Sequence, residues 1–169
     1  MDPASTLLSL SEVAVSIAGF AGIAFAIASK GSSEDDLMRR WRLRFMVATS
    51  IGAVGFSSLP VSLLALGVPE RSVWAIAGVT LAVANPLFLW WTFLHQRRFL
   101  GVAFFRGTFV NDVVFITLNV VSAALALFNA LGIGFHREFG VYLVALLVWF
   151  VFSLSTFFRI IFFSSATEP

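Results

Sequence analysis

Five apolar runs, at residues 7–29, 45–68, 73–94, 109–131 and 139–163, leave this chain few ways to fold. Each is long enough to cross a hydrocarbon layer, which takes about 20 mostly apolar residues. Backbone amides have no water to bond in such a layer, so a crossing segment is a helix or part of a closed barrel. Ten-residue alternating segments are absent, which leaves helices. Only 12% of the 169 residues are charged, and 20 are phenylalanine. A water-soluble core of this size could not hide that many rings. The reading is all-α: an integral membrane bundle of five transmembrane helices, with residues 1–169 as one transmembrane domain. Short connections leave no room for a domain outside the membrane.

Could the first run be a cleaved leader? Ala26-Ile27-Ala28 has the small-residue look of a cleavage site. But no Lys or Arg precedes the run, and it is longer than a signal core. It is expected to stay as a span.

Orientation follows from Lys and Arg, which favour the cytoplasmic side. Lys30, Arg39, Arg40, Arg42 and Arg44 lie between the first two spans. Arg97, Arg98 and Arg106 lie between the third and fourth, and Arg159 lies near the end of the fifth. Only Arg71 and Arg137 fall on the other side. The N-terminus is therefore expected outside and the C-terminus inside. Trp74 and Tyr142 then mark the outer interface, and Trp41, Trp90 and Trp91 the inner one. The strong bias argues against dual-topology insertion. An odd number of spans without an internal repeat argues against the common plan of secondary transporters.

Glu12 is the residue most suggestive of function, because a carboxylate in a membrane span is costly and marks a candidate site. At 100° per residue, Glu12, Ser16, Gly19, Ile23, Ala26 and Lys30 share one helical face. Glu12 and Lys30 are separated by about 27 Å along the axis. Copies of this face around an axis would give an acidic ring, a narrow apolar waist and a basic mouth. Acidic rings select cations, and apolar constrictions gate by dewetting. The competing reading is packing. Ala14, Ala18, Gly22 and Ala26 form a small-residue ladder that lets helices approach closely. Glu12 would then anchor the helix at the interface or pair with Arg71 or Arg137.

A second polar stripe, Asn111, Asp112, Asn119, Ser122 and Asn129, follows one face of the fourth span. It reads as a hydrophilic path with Asp112 and Asn119 as ion-contacting groups, or as hydrogen bonding between helices. Asp112 could instead pair with Arg106 or Arg97. Pro60 and Asn85-Pro86 interrupt two spans and free carbonyls one turn earlier. Such carbonyls coordinate cations in some discontinuous helices, or are repaired by nearby hydroxyls such as Ser57, Ser58 and Thr80. The stretch from Lys30 to Arg44 reads as the longest loop. In it, Glu34-Asp35-Asp36 caps the next helix, and Arg39, Arg40, Arg42 and Arg44 lie at anionic lipid headgroups or serve only as a topology signal.

Enzyme chemistry finds no support. The chain has no cysteine, no glycine-rich phosphate loop and no Ser–His pair, and His95 and His136 fall on opposite membrane faces. No cofactor or metal is implied. No basic soluble surface suggests nucleic acid.

The run from Ser11 to Gly22, SEVAVSIAGFAG, resembles the opening of small, uncharacterised bacterial multi-pass inner-membrane proteins. The resemblance covers one helix and implies a place in the cell membrane, with no activity attached. The order glutamate, small and apolar residues, then basic residues is also similar in plan to the pore helix of Orai-type calcium channels. Here the helix would run in the opposite direction, and the other helices do not match. The combined expectation is a homo-oligomeric, cation-preferring pore lined by the first helix. A non-conducting accessory subunit of a larger membrane complex is the alternative, and a small-solute carrier the third reading.

Overall fold

The computed structural model describes residues 2–28, 34–100 and 109–163, in places as backbone alone. Five helices account for nearly all of them, with no strand among the described residues: α1 (Pro3–Ala28), α2 (Glu34–Ala65), α3 (Glu70–Leu100), α4 (Phe109–Leu131) and α5 (Phe139–Phe163). Four contain stretches long and apolar enough to cross a membrane: Pro3–Phe20, Leu43–Ala65, Glu70–Leu94 and Val113–Leu131. The described apolar part of α5, Phe139–Val151, is shorter.

Three helices outrun the expected spans. α2 has 32 residues. That is about 48 Å of helix against about 30 Å of hydrocarbon, so its charged first turns project beyond any crossing segment. The expected loop from Lys30 to Arg44 is thereby corrected, because it is helical from Glu34 onward. Acidic residues at a helix start complement its dipole, and that favours extension over a loop. α3 likewise continues to Leu100.

α1 starts at Pro3, earlier than the apolar run implies, because Asp2 caps it. The Asp2 carboxylate accepts from the backbone N–H of Ser5 at 3.1 Å and of Ala4 at 3.3 Å. A proline fits the next position, where no N–H is needed. Those two bonds, that from Ser5 first, hold the Asp2 carboxyl below its ordinary 3.8.

The chain divides into two compact units. One comprises Met1–Ser58 and Trp149–Pro169, and the other Leu59–Val148. In the first, α1 turns Leu7, Ser11 and Ala14 inward, and Leu7 and Ala14 are fully buried. Ser11 Oγ donates to the Val54 carbonyl of α2 at 3.4 Å and lies 3.3 Å from Ser58 Oγ. Leu43, Met46, Ala53 and Ser57 form the buried stripe of α2. Trp149 sits edge-on to Phe56 with ring centroids 5.1 Å apart. Gly52 makes room for it: a Cβ there would lie 2.7 Å from the indole.

In the second unit, α3 packs along α4. A Cβ on Gly78 would come within 2.8 Å of the Ala126 carbonyl and 3.0 Å of Ala130 Cβ. Only a glycine allows backbones this close. At one end Trp74 is buried against Phe139 and Tyr142, with centroids 5.4 and 5.9 Å away. Its indole N–H reaches Glu70 at 3.2 Å. Trp74 and Tyr142, expected at an interface, thus lie at helix starts but face protein. Two helices end on glycines with positive φ, Gly67 and Gly132. In each, the glycine N–H and the next N–H reach back to carbonyls of the last turn, the bonding of a Schellman cap.

Gly78→Ala should lower stability by about 1–3 kcal/mol, because the wall it meets is a backbone carbonyl that cannot rotate away. Adding Ala130→Gly should restore only part of the loss. Thermal unfolding in detergent reads both, and full rescue would mean that Ala126 is not the wall. Asp2 offers a pH test. Its carboxyl is depressed in the fold, so its cap is complete above the ordinary value of 3.8 and lost as pH falls through the lower folded value. Amide hydrogen exchange at Ala4 and Ser5 should therefore accelerate at acid pH, beyond the intrinsic rate change. Asp2→Ala should abolish that extra acceleration.

Candidate functional site

Glu12 lies nine positions after Pro3, about 13.5 Å along the helix, and five residues into the apolar run 7–29. Its side chain is exposed on the outward face of α1. It lines an open groove of about 540 Å³ with Ser9, Val13, Ser16, Ile17, Phe20 and Leu154. The carboxylate has no ion-pair partner among the described residues. Ser16 Oγ donates to the Glu12 backbone carbonyl at 2.9 Å, so that hydroxyl stays beside the groove.

The rest of the expected face continues outward. Gly19 is exposed with nothing within 4 Å of where a Cβ would stand, and Ile23 is 60% exposed. Lys30 lies outside the described residues, as does the side chain of Ala26. The packing ladder divides. Ala14 is buried, Ala18 half-buried, and Gly22 exposed with open space around it. The ladder is therefore buried at Ala14 and open at Gly22.

The polar stripe of α4 is used differently. Asn85 Nδ2 of α3 donates to Ser122 Oγ at 2.9 Å, and Ser122 Oγ donates to the Ala145 carbonyl of α5 at 2.8 Å. This relay ties three helices through fully buried groups. Asn129 clamps the next connection. It accepts from the Glu138 N–H at 2.9 Å and donates to the Glu138 carbonyl at 3.0 Å. Asn119, 1% exposed, donates to the Phe115 carbonyl of its own helix at 2.9 Å. The side chains of Asn111 and Asp112, and the arginines 39, 40, 42, 97, 98, 106 and 159, lie outside the described side chains; Arg44 is exposed.

Near the proline breaks, Ser58 Oγ donates to the Val54 carbonyl at 2.8 Å and Thr80 Oγ1 to that of Ile76 at 2.8 Å. Ser57 Oγ is fully buried with no hydrogen-bond partner among the described residues. Three positions escaped sequence reading. Ser9 lies one turn before Glu12 on the same face, and the 100° rule applied backward finds it. Ser11 differs from neighbouring serines only by facing α2. The amide of Asn85 was obscured by the proline that follows it.

Family models, curated proteins and solved structures yield no match to this chain.

Two serines separate satisfied from unsatisfied burial. Ser122→Ala strands the Asn85 amide and should lower stability by about 1 kcal/mol or more. Ser57→Ala removes an unpaired hydroxyl and should leave stability unchanged or raise it by about 1 kcal/mol. Thermal and denaturant unfolding in detergent check both, and a loss at Ser57 would reveal a partner for that hydroxyl.

Proposed function

We propose that this protein is a multi-pass membrane protein that assembles with copies of itself into a cation-preferring pore, with α1 lining the path. The carrying observation is Glu12, exposed within the apolar run of α1 and without an ion-pair partner among the described residues. A carboxylate facing hydrocarbon costs several kcal/mol. Facing water, or copies of itself around an aqueous path, it does not. Ser9 and Ser16 flank it on the same groove, so the surface offers oxygens to a partly hydrated cation. Toward the helix end, Gly19, Gly22 and Ile23 supply a small, apolar continuation suited to a narrow waist. α4 is the weaker candidate lining, since Ser122 and Asn129 hydrogen-bond within the bundle. In this reading α5 completes a fifth crossing, the N-terminus is outside, and the protein sits in a cell membrane, bacterial by the resemblance of its first helix.

A second reading rests on the open space at Gly19 and Gly22. Such positions admit a close helix, and that helix could belong to a different membrane protein. The chain would then be an accessory subunit, with Glu12 paired to a cation on its partner.

Cation flux into liposomes separates these readings. Glu12→Gln keeps the side-chain volume and removes the charge. For a pore, cation flux should fall roughly tenfold, the scale of a ~1.4 kcal/mol contact, or cation-over-anion preference should vanish. Flux indifferent to the change moves the path off α1. Absence of flux under varied voltage, tension and pH favours the accessory role.

A further inference from the structure

The turn between α4 and α5 holds an arginine in an unusual state. Arg137 has φ of 60°, the sole non-glycine with positive φ among the described residues. L residues seldom adopt that conformation. The Asn129 side chain imposes it by bonding both the N–H and the carbonyl of Glu138, the next residue. The arginine side chain is held as well: its Nε donates to the Ala130 carbonyl at 3.1 Å. This folds the guanidinium over Gly132, where Nε lies 3.9 Å from the place of a Cβ.

One edge of the guanidinium is thus pinned, while its two terminal amino groups have no partner among the described residues. The residue is exposed. The nearby carboxylate of Glu138 lies 3.9 Å from His136 Nδ1 rather than in an ion pair with Arg137. A planar fork with two free, parallel donors matches two oxygens of a phosphate. The surroundings narrow the source of that phosphate. Leu127, Phe128 and Leu131 on the last turns of α4, and Ile133 beside Gly132, are all exposed. A fixed cation directly above an apolar helix end fits a molecule with a phosphate head and acyl tails.

We propose that Arg137 and the 131–133 turn form a binding site for the phosphate headgroup of a phospholipid, its acyl chains lying along Leu127, Phe128 and Leu131. The site requires α4 to cross the membrane and is independent of whether Glu12 lines a pore. It accounts for an arginine on the side that carries few basic residues. There a topology signal would be out of place, and a headgroup ligand would not.

Native mass spectrometry of the full-length protein in detergent tests this with three probes: phosphatidylglycerol, diacylglycerol, which has the tails without the phosphate, and inorganic phosphate. Wild type should retain phosphatidylglycerol about tenfold better than diacylglycerol, the scale of a charge-assisted hydrogen-bond pair. It should not retain inorganic phosphate. Arg137→Gly suits the backbone and should reduce phosphatidylglycerol to the diacylglycerol level, while Arg71→Gln should leave it unchanged. If circular dichroism shows that the glycine variant is unfolded, Arg137→Asn, also tolerant of positive φ, takes its place. Equal retention of phosphatidylglycerol and diacylglycerol overturns the site, as does retention that survives loss of Arg137. An equal loss in Arg71→Gln reduces the effect to net charge and also overturns it. Phosphate binding without tails overturns the lipid assignment.

Discussion

Among the described residues, small polar side chains share the interior with apolar ones, and many large aliphatic ones lie outside. Thr49, Ser50, Asn85, Asn119, Ser122 and Asn129 are buried, whereas Val15, Phe20, Ile51, Leu87, Val120 and Val151 are exposed. In water so much exposed aliphatic surface would forfeit part of the burial that drives folding. In hydrocarbon it costs nothing at the surface, because lipid tails are as apolar as leucine. The consequence is that packing and hydrogen bonds must hold the helices together. Every notable contact in the two units has that character.

Close approach comes first. Gly78 lets α3 settle on the Ala126 carbonyl, and Gly52 leaves a place for the Trp149 ring. Once backbones are that near, short polar side chains can bridge them, and the Asn85–Ser122–Ala145 relay does so without a lysine or a carboxylate. Against this economy of charge, Glu12 and Arg137 differ from the polar residues around them. Ser122 and Asn129 face inward and are matched, whereas these two ionic groups face outward and carry unmatched atoms. For Glu12, no side-chain bond among the described residues explains the charge. For Arg137, Nε is used structurally and the rest of the fork is left over.

The helices were legible because their signal is length and apolarity, which a sequence displays directly. The start of α2 was not, because a charged helix outside the apolar run looks like a loop until its acidic first turn is weighed as a helix signal. The outward face of Glu12, Ser16, Gly19 and Ile23 was legible from the 100° rule, since α1 is regular. Which way that face points was not. Periodicity groups residues but does not say which group meets protein, and in an apolar helix both faces look alike. The stripe on α4 shows the same limit: its face was found, and the identity of its partners waited on Asn85 and Ala145. The left-handed Arg137 had no local sign at all. It follows from a clamp reaching back nine residues from Glu138 to Asn129, with glycines in between that suggest only a turn.

An unpaired charge on an outward surface constrains what must surround it more than a paired one does. A carboxylate exposed within an apolar run faces lipid tails that offer no donors. Whatever covers it must bring water, cations or protein. An arginine at the end of such a helix sits at a depth where lipid itself brings the counter-charge. The same physics thus gives opposite answers at the two sites. Glu12 calls for lipid to be excluded, and Arg137 is suited to lipid being present. On the readings proposed, the surface at Glu12 is one for assembly, and the turn at Arg137 is one that can remain in contact with the bilayer.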